Sequence, residues 1–297
     1  DYLFFVIKLS IFSILIHQSM KMYKSKNPFT IREIDKCSAI PFIQKYHYSP
    51  VMPSITKHYL GFLADGEMKS VLTLGWGTQP RQTINKLFPG LETKHYYEIG
   101  KMCIADEMPK NTGSQILSAT IGWMKQRTDK LFLYTLADGI MGKCGYVYQS
   151  ANFHYGGSFR THTYLMPNGE KLHIRSANDL LRQNQVLDNK NKRFGEGIKK
   201  RIRFSFDFME VNNIRMIDGL MFRYIYPLNK NAKRLMKNGS TLIWNQNNYP
   251  KDKDLVWMDT TDKKNKTKID RPSFSFDEAK YNYIPQTVGS TLDKFFS

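Results

Sequence analysis

One short run constrains this chain more than any other. Leu131-Phe132-Leu133-Tyr134-Thr135-Leu136-Ala137 is almost continuously apolar and ends at Asp138-Gly139. It is too short for a buried helix and lacks the alternation of a half-exposed strand, so it reads as a strand covered on both faces, as in a parallel pair. What precedes it supplies the pairing. His95 to Ala105 reads as a strand, and Pro109 with Asn111-Thr112 opens a helix to about Arg127. Ile116, Leu117, Thr120, Ile121 and Met124 fall on one face of that helix. Strand, helix and buried strand imply a parallel pair with a right-handed crossover.

The rest of residues 28–175 extends this unit. Phe29 to Ile34 alternates as a first strand, and Asp35 caps a helix over Lys36 to Tyr46. Tyr59–Leu63 and Ser70–Gly75 flank Asp65-Gly66, a strong hairpin signal. A helix over about Gly142 to Asn152 is followed by strands Ser158–Met166 and Lys171–Ile174, joined at Pro167-Asn168-Gly169. The expected class is α/β, with a mixed central sheet and flanking helices. The expected organisation is a leader over 1–20, a catalytic domain over 21–175, a basic extension over 176–251 and a polar tail over 252–297. Tyr2 to Ile16 is nearly all apolar but shorter than the ~17–25 residues of a spanning helix. Residues 1–20 are therefore expected to be dispensable, with translation starting at Met20 or Met22, and no stable membrane partner is expected.

Charge points to the partner. Lys+Arg is 44 against Asp+Glu 26, a net of +18, which suits a polyanion such as nucleic acid. Residues 186–236 hold 12 basic and 5 acidic residues, with Lys199, Lys200, Arg201 and Arg203 clustered. That cluster is either a DNA-binding surface or a solvated face. Cys37, Cys103 and Cys144 lack C-x-x-C spacing, which speaks against a disulfide framework or a cysteine-rich zinc module and fits a reducing compartment.

Several segments carry a resemblance. They are Tyr46-His47-Tyr48-Ser49, Glu98-Ile99-Gly100-Lys101-Met102, Pro109-Lys110-Asn111-Thr112-Gly113-Ser114, Ala137-Asp138-Gly139, the stretch Gly145 to Gly157, Phe222 to Leu228, and Asn248-Tyr249-Pro250-Lys251. In order and spacing the set resembles the Mom-like DNA adenine-modification proteins of bacteriophages, a divergent branch of the GNAT superfamily of N-acyltransferases. The resemblance implies a GNAT-like sheet and transfer of a carbamoylmethyl (acetamido)-type group to adenine N6 in double-stranded DNA. Such modification protects DNA from host restriction, which places the protein in the cytoplasm of the infected bacterium. Two departures stand out. Phe153 replaces the family's usual tryptophan, and Pro109 to Ser114 stands where acetyl-CoA-using relatives carry a glycine-rich phosphate loop.

The resemblance implicates His47, Tyr48, Asp138 and Tyr148 in catalysis. Read on its own, Asp138 ends a buried strand, where α/β sheets bind ligands, yet it equally suits a cap for the next helix. Tyr148 is a proton donor at neutral pH or a packing residue, with Tyr146 its competitor. His47 and Asp138 read as a base–orienter pair or, since the family is linked to iron, as metal ligands with His154 as an extra one. No H-x-H or H-x-x-x-H spacing supports a metal. Lys110, Asn111, Thr112, Gly113 and Ser114 open a helix whose free N–H groups suit the phosphates of a donor, acetyl-CoA or a related carrier, or simply form a capped helix start. Gly113 costs about 1 kcal/mol there relative to Ala, a hint of close ligand approach. The alternatives are a GNAT-fold acyltransferase acting on a protein or small amine, and a non-catalytic DNA-binding phage protein.

Overall fold

A computed structural model describes residues 23–24, 28–49, 55–77, 80–174 and 204–276. The lysine–arginine cluster Lys199, Lys200, Arg201 and Arg203, and residues 1–20, lie outside the described residues. The elements begin with strands β1 (Tyr23–Lys24) and β2 (Thr30–Ile34), helix α1 (Lys36–Tyr46), and the hairpin β3 (Thr56–Ala64) with β4 (Glu67–Gly75). Then come β5 (Tyr96–Ile104), α2 (Thr112–Arg127), β6 (Phe132–Asp138), the short α3 (Tyr146–Ser150), β7 (His154–Leu165) and β8 (Lys171–Leu172). The chain continues with α4 (Phe206–Val211), β9 (Arg215–Pro227), α5 (Lys230–Asn238), β10 (Met258–Asp259) and β11 (Thr267–Lys268).

The strands form one mixed sheet, in the order β1-β2-β3-β4-β5-β6-β9-β10-β11 with β7 on the other edge of β9 and β8 beyond it. This is the mixed α/β architecture expected. The local reading is close where chemistry is local: Asp35 caps α1 by accepting from the Ser38 amide at 2.8 Å, and Asp65-Gly66 makes the β3–β4 turn. The helix expected over about 142–152 is only one turn long, Tyr146–Ser150, because Gly142 and Gly145 both take positive φ (71° and 93°) and hold the chain in turns before it.

The larger difference is β9. It falls in the segment read as a basic extension, yet it sits in the middle of the sheet, antiparallel to β6 on one side and to β7 on the other. Its burial explains this: Ile217, Phe222, Tyr224 and Ile225 are all buried. Segment 252–276 is likewise anchored rather than free. Trp257 Nε1 donates to the Ile140 carbonyl at 3.0 Å and Arg271 Nη2 to the Met141 carbonyl at 2.9 Å.

Two cores flank the sheet. On one face α2 packs through Ile116, Leu117 and Met124 against Tyr97, Ile99, Leu133 and Ala137. On the other, Tyr96, Phe132, Tyr134 and Ile225 pack with Phe88 and with Ala232 and Met236 of α5. The run Leu131–Ala137 is therefore covered from both sides, as its composition required. Among the described residues no helix is long and apolar enough to cross a membrane.

Candidate functional site

The parallel pair is brief. β5 and β6 pair at Tyr96↔Phe132, Tyr97↔Leu133 and Glu98↔Tyr134, and then part. β5 stays with β4 and β6 stays with β9. The β4–β5 register also slips at this point: Leu74 faces Ile99 but Thr73 faces Lys101, so Gly100 is an extra residue on β5. A bulge of this kind bends its strand and shifts the side-chain alternation by one. Before it, Glu98 shares the face of Tyr96; after it, Lys101 does. The bulge thus brings a carboxylate and an ammonium to the same side of one strand, beside the notch where the sheet opens. The Lys101 amide is secured by donating to Thr73 Oγ1 at 2.8 Å.

Glu98 stands at the apex of that notch. No hydrogen bond or ion pair engages its carboxylate among the described residues. The chain passes close over it at Gly77, whose φ of 67° favours glycine and where a methyl group would come within 1.9 Å of Glu98 Oε2. Burial raises the Glu98 pKa from 4.5 to about 7. Its charge in turn raises the pKa of the Tyr96, Tyr134 and Tyr148 hydroxyls around it, on top of their own burial.

Lys101 is buried, and its Nζ donates to the Ser49 carbonyl. Burial, then the Lys171 charge, lowers its pKa to about 8. Ser49 also holds His47: the Ser49 amide donates to His47 Nδ1 at 2.9 Å. That bond fixes the acceptor nitrogen, so Nε2 carries the proton. Burial and the Lys101 charge push the His47 pKa down to about 3, and the ring is neutral near pH 7. Tyr48 stacks on it, with centroids 4.4 Å apart and planes at 29°. Tyr48 keeps 43% of its surface exposed. Its hydroxyl end lies inward, where burial, then Asp138 and Tyr148, raise its pKa.

Asp138 ends β6. Its Oδ2 pairs with Lys171 Nζ at 2.6 Å, both side chains largely buried. Its Oδ1 accepts from the Ile140 and Met141 amides at 3.0 and 3.4 Å. Asp138 therefore holds the turn after β6 rather than capping a helix, since α3 begins only at Tyr146 behind Gly145, and a buried ion pair is added to that turn role. No hydrogen bond joins Asp138 to His47, so they do not form a base–orienter pair. They also do not fit a metal centre. Both Asp138 oxygens and His47 Nδ1 are engaged, two lysine ammoniums stand beside them, and among the described residues no group of three His, Cys, Asp or Glu could hold an ion. His154 lies instead in β7, where burial and the charge of Lys233 on α5 lower its pKa.

Tyr148 reaches the notch from α3, packed on Tyr224 and Phe153 at 5.4 and 5.6 Å. Burial raises its pKa, so it stays protonated and can donate; the neighbouring Thr135 hydroxyl opposes that shift slightly. Thr135 Oγ1 is itself buried without a hydrogen bond among the described residues. Tyr146 is 48% exposed under the Lys251 ammonium, and so is no rival for this position.

The start of α2 offers an anion less than expected. The Thr112 amide bonds back to the Pro109 carbonyl, and the Ser114 amide to that of Asn111, at 3.3 and 3.1 Å. Asn111 supplies the turn by taking φ 74°. The exposed Lys110 and the Gly113 amide remain beside it. Gly113 has a packing reason: a Cβ there would lie 2.6 Å from Val147 Cγ2 on α3. Gly113→Ala is expected to cost about 1–3 kcal/mol in urea denaturation, and Val147→Ala to recover most of it. If Gly113→Ala were neutral, the contact would not set the residue.

Sequence reasoning did not single out Glu98, Lys101 or Lys171 as site residues, although Glu98 to Met102 is among the segments that carry the resemblance. A charged residue at an inward strand position was the available signal for Glu98. A groove of about 630 Å³ lined by Glu33, His58, Tyr97, Trp123 and Lys130 opens at the other end of β5 and β6, remote from Asp138.

Comparison with known proteins settles the relationship. The Mom protein family matches residues 28–251. The chain belongs to the Mom family. It is 24% identical over 212 residues to the methylcarbamoylase Mom of Escherichia phage Mu, covering 70% of this chain and 78% of that one. Among solved structures it is similar to a GNAT family N-acetyltransferase from Escherichia coli in complex with CoA, 10% identical over 44% of this chain and 71% of that one, TM-score 0.31. A GNAT family acetyltransferase from Bacillus anthracis covers 46% and 86% at 10% identity, TM-score 0.29. The Mom segments His47-Tyr48, Glu98 to Lys101, Asp138 and Tyr148 all converge on the notch.

Proposed function

We propose that this protein modifies phage DNA by transferring a carbamoylmethyl-type group to adenine N6 in the duplex, as a Mom-type enzyme. The observation that carries the reading is the Glu98 carboxylate at the apex of the β5–β6 notch, without a hydrogen bond or ion pair among the described residues and near enough for its charge to act on the protonated Tyr148. Adenine N6 is a poor nucleophile because its lone pair is delocalised into the ring. A transferase must take a proton from it, hold it in line with the donor carbon, and assist the leaving group. Glu98, with a pKa near 7, suits the first task. Tyr148 suits the last. Lys101, with Asp138 acting through Lys171, sets the charge around the reacting atoms.

A base stacked in a duplex cannot reach a notch in a sheet, so it must flip out, at a cost of a few kcal/mol. The His47–Tyr48 stack, with Tyr48 exposed, provides a platform for it. The donor's carrier suits the start of α2, where Lys110, Asn111, Thr112, Gly113 and Ser114 stand, through Lys110 and the Gly113 amide. The methylcarbamoylase relative supports transfer of a group of this composition, methylcarbamoyl being an isomer of carbamoylmethyl. Mass spectrometry of nucleosides from DNA of bacteria expressing the chain is expected to show a carbamoylmethylated deoxyadenosine. Unmodified adenine, with folded protein present in the cells, would overturn the reading.

A further inference from the structure

The Mom match ends at residue 251, but the sheet does not. β10 joins the same edge of β9 that β6 occupies. Asp138 pairs with Met221, and Met258 pairs with Asp218 three residues further on, about 10 Å along the strand. β10 therefore continues the line of β6 beyond its catalytic end. β11 folds back on β10, on the side where β5 has left the sheet. The hairpin stands at the mouth of the notch.

It is held there firmly. Arg215 Nε pairs with Asp259 Oδ2 at 2.8 Å, the Thr260 amide donates to the Met216 carbonyl at 2.8 Å, and Thr260 Oγ1 donates to Asp218 Oδ1 at 2.8 Å. Asp262 orders the turn by accepting from the Lys264 amide and Asn265 Nδ2 at 2.8 and 2.7 Å. The acids Asp259 and Asp262 thus bind the hairpin's own frame. Lys263, Lys264, Lys266 and Lys268 all project into solvent, and none takes part in an ion pair among the described residues. The segment leaving the hairpin runs to the site itself: Phe274 lies under Lys171 Nζ, and Phe276 meets Tyr48 edge-on at 6.1 Å.

We infer that the β10–β11 hairpin is a phosphate-contacting arm, whose Lys263, Lys264, Lys266 and Lys268 grip the backbone of duplex DNA beside the flipped adenine. This rests on the DNA reading above and extends it to a surface outside the family match. A rigid frame matters, because phosphate contacts fix register without reading sequence, and an arm anchored to β9, the neighbour of β6, sets the distance from backbone to notch.

The test replaces all four lysines by glutamine and measures binding to a duplex oligonucleotide across 50–200 mM salt, with circular dichroism as a fold check. A control replaces Lys230, Lys233, Arg234 and Lys237, an equal charge exposed on α5 at the opposite end of β6. The hairpin variant is expected to lose about 0.9 of salt slope for each phosphate it no longer neutralises. Even if only two of the four lysines reach phosphates, the parent's affinity falls about tenfold further than the variant's over that salt range. The α5 variant is expected to keep the parent slope. Equal slopes for parent and hairpin variant, or equal loss in both variants, would overturn the arm. A parent that binds no duplex would overturn it together with the DNA reading. A parent that binds with the full slope but modifies no adenine would remove the proposed chemistry and leave the arm standing.

Discussion

Glu98→Gln is expected to yield a protein more stable than the parent at pH 8 and inactive. Both effects have one source. The fold largely buries this carboxylate and, among the described residues, gives it no hydrogen-bond or ion-pair partner, and burial raises its pKa from 4.5 to about 7. The folded protein then holds a proton that the unfolded chain releases. Stability is lost as pH climbs from about 4.5 to about 7 and stays lower above that. At about 1.4 kcal/mol per pKa unit, the buried charge costs on the order of 3 kcal/mol at pH 8. Glutamine has nearly the same shape and no charge to bury, so thermal denaturation at pH 8 is expected to show a gain of several degrees. At pH 4, where parent Glu98 is protonated, the gain is expected to vanish. The same replacement removes the proton acceptor, and general base catalysis contributes about 10²–10⁴-fold. Transfer in the parent is expected to rise with pH through about 7 as Glu98 ionises, and to fall through about 8 as Lys101 loses its charge. A Glu98→Gln variant with parent activity and the same rising limb would exclude Glu98 as the base. Stability at the expense of activity is the usual trade at a functional site.

How much of this was legible in the sequence depends on the range of the interaction that decides it. Asp35 before α1, Asp65-Gly66 in the first hairpin and the apolar periodicity of α2 act over a few residues, and they predict those elements closely. β9 acts over a long range. Its alternation is blurred because both of its faces are covered, Phe222 and Tyr224 in one core and Ile225 in the other, and it lies in a segment whose lysines and arginines dominate any reading of composition. Lys101 was hidden by geometry. Strict alternation places it opposite Glu98, and only the extra residue at Gly100 turns it to the same side. Lys171 meets Asp138 across 33 residues through the β7–β8 turn, a pairing that no local pattern announces. His47 illustrates the converse. Its sequence position marks it for the site, but the Ser49 amide that occupies Nδ1 is visible only in three dimensions.

Lys171→Met is expected to destabilise the protein by about 3 kcal/mol, among the largest losses for any single change at the site. It leaves Asp138 charged, only 16% exposed, and without its 2.6 Å partner. Removing one member of a buried pair costs about 3–5 kcal/mol, and the remaining access to water places this pair at the lower end. Asp138→Asn is milder, because an amide oxygen still accepts from the Ile140 and Met141 amides and so keeps the turn after β6. What it loses is the charge that holds Lys171, a flexible side chain that can turn toward water. The double variant, with neither charge, is expected to recover most of the Lys171→Met loss, a coupling of about 2 kcal/mol in a double-mutant cycle. The transfer assay then separates structure from chemistry. Asp138→Asn is expected to fold, to bind duplex DNA like the parent and to leave adenines unmodified. The double variant is expected to be as inactive, although its stability returns. Modified adenine from the double variant would mean that the pair serves only to close the turn after β6, and the chemistry would then fall to Glu98, Lys101 and Tyr148 alone.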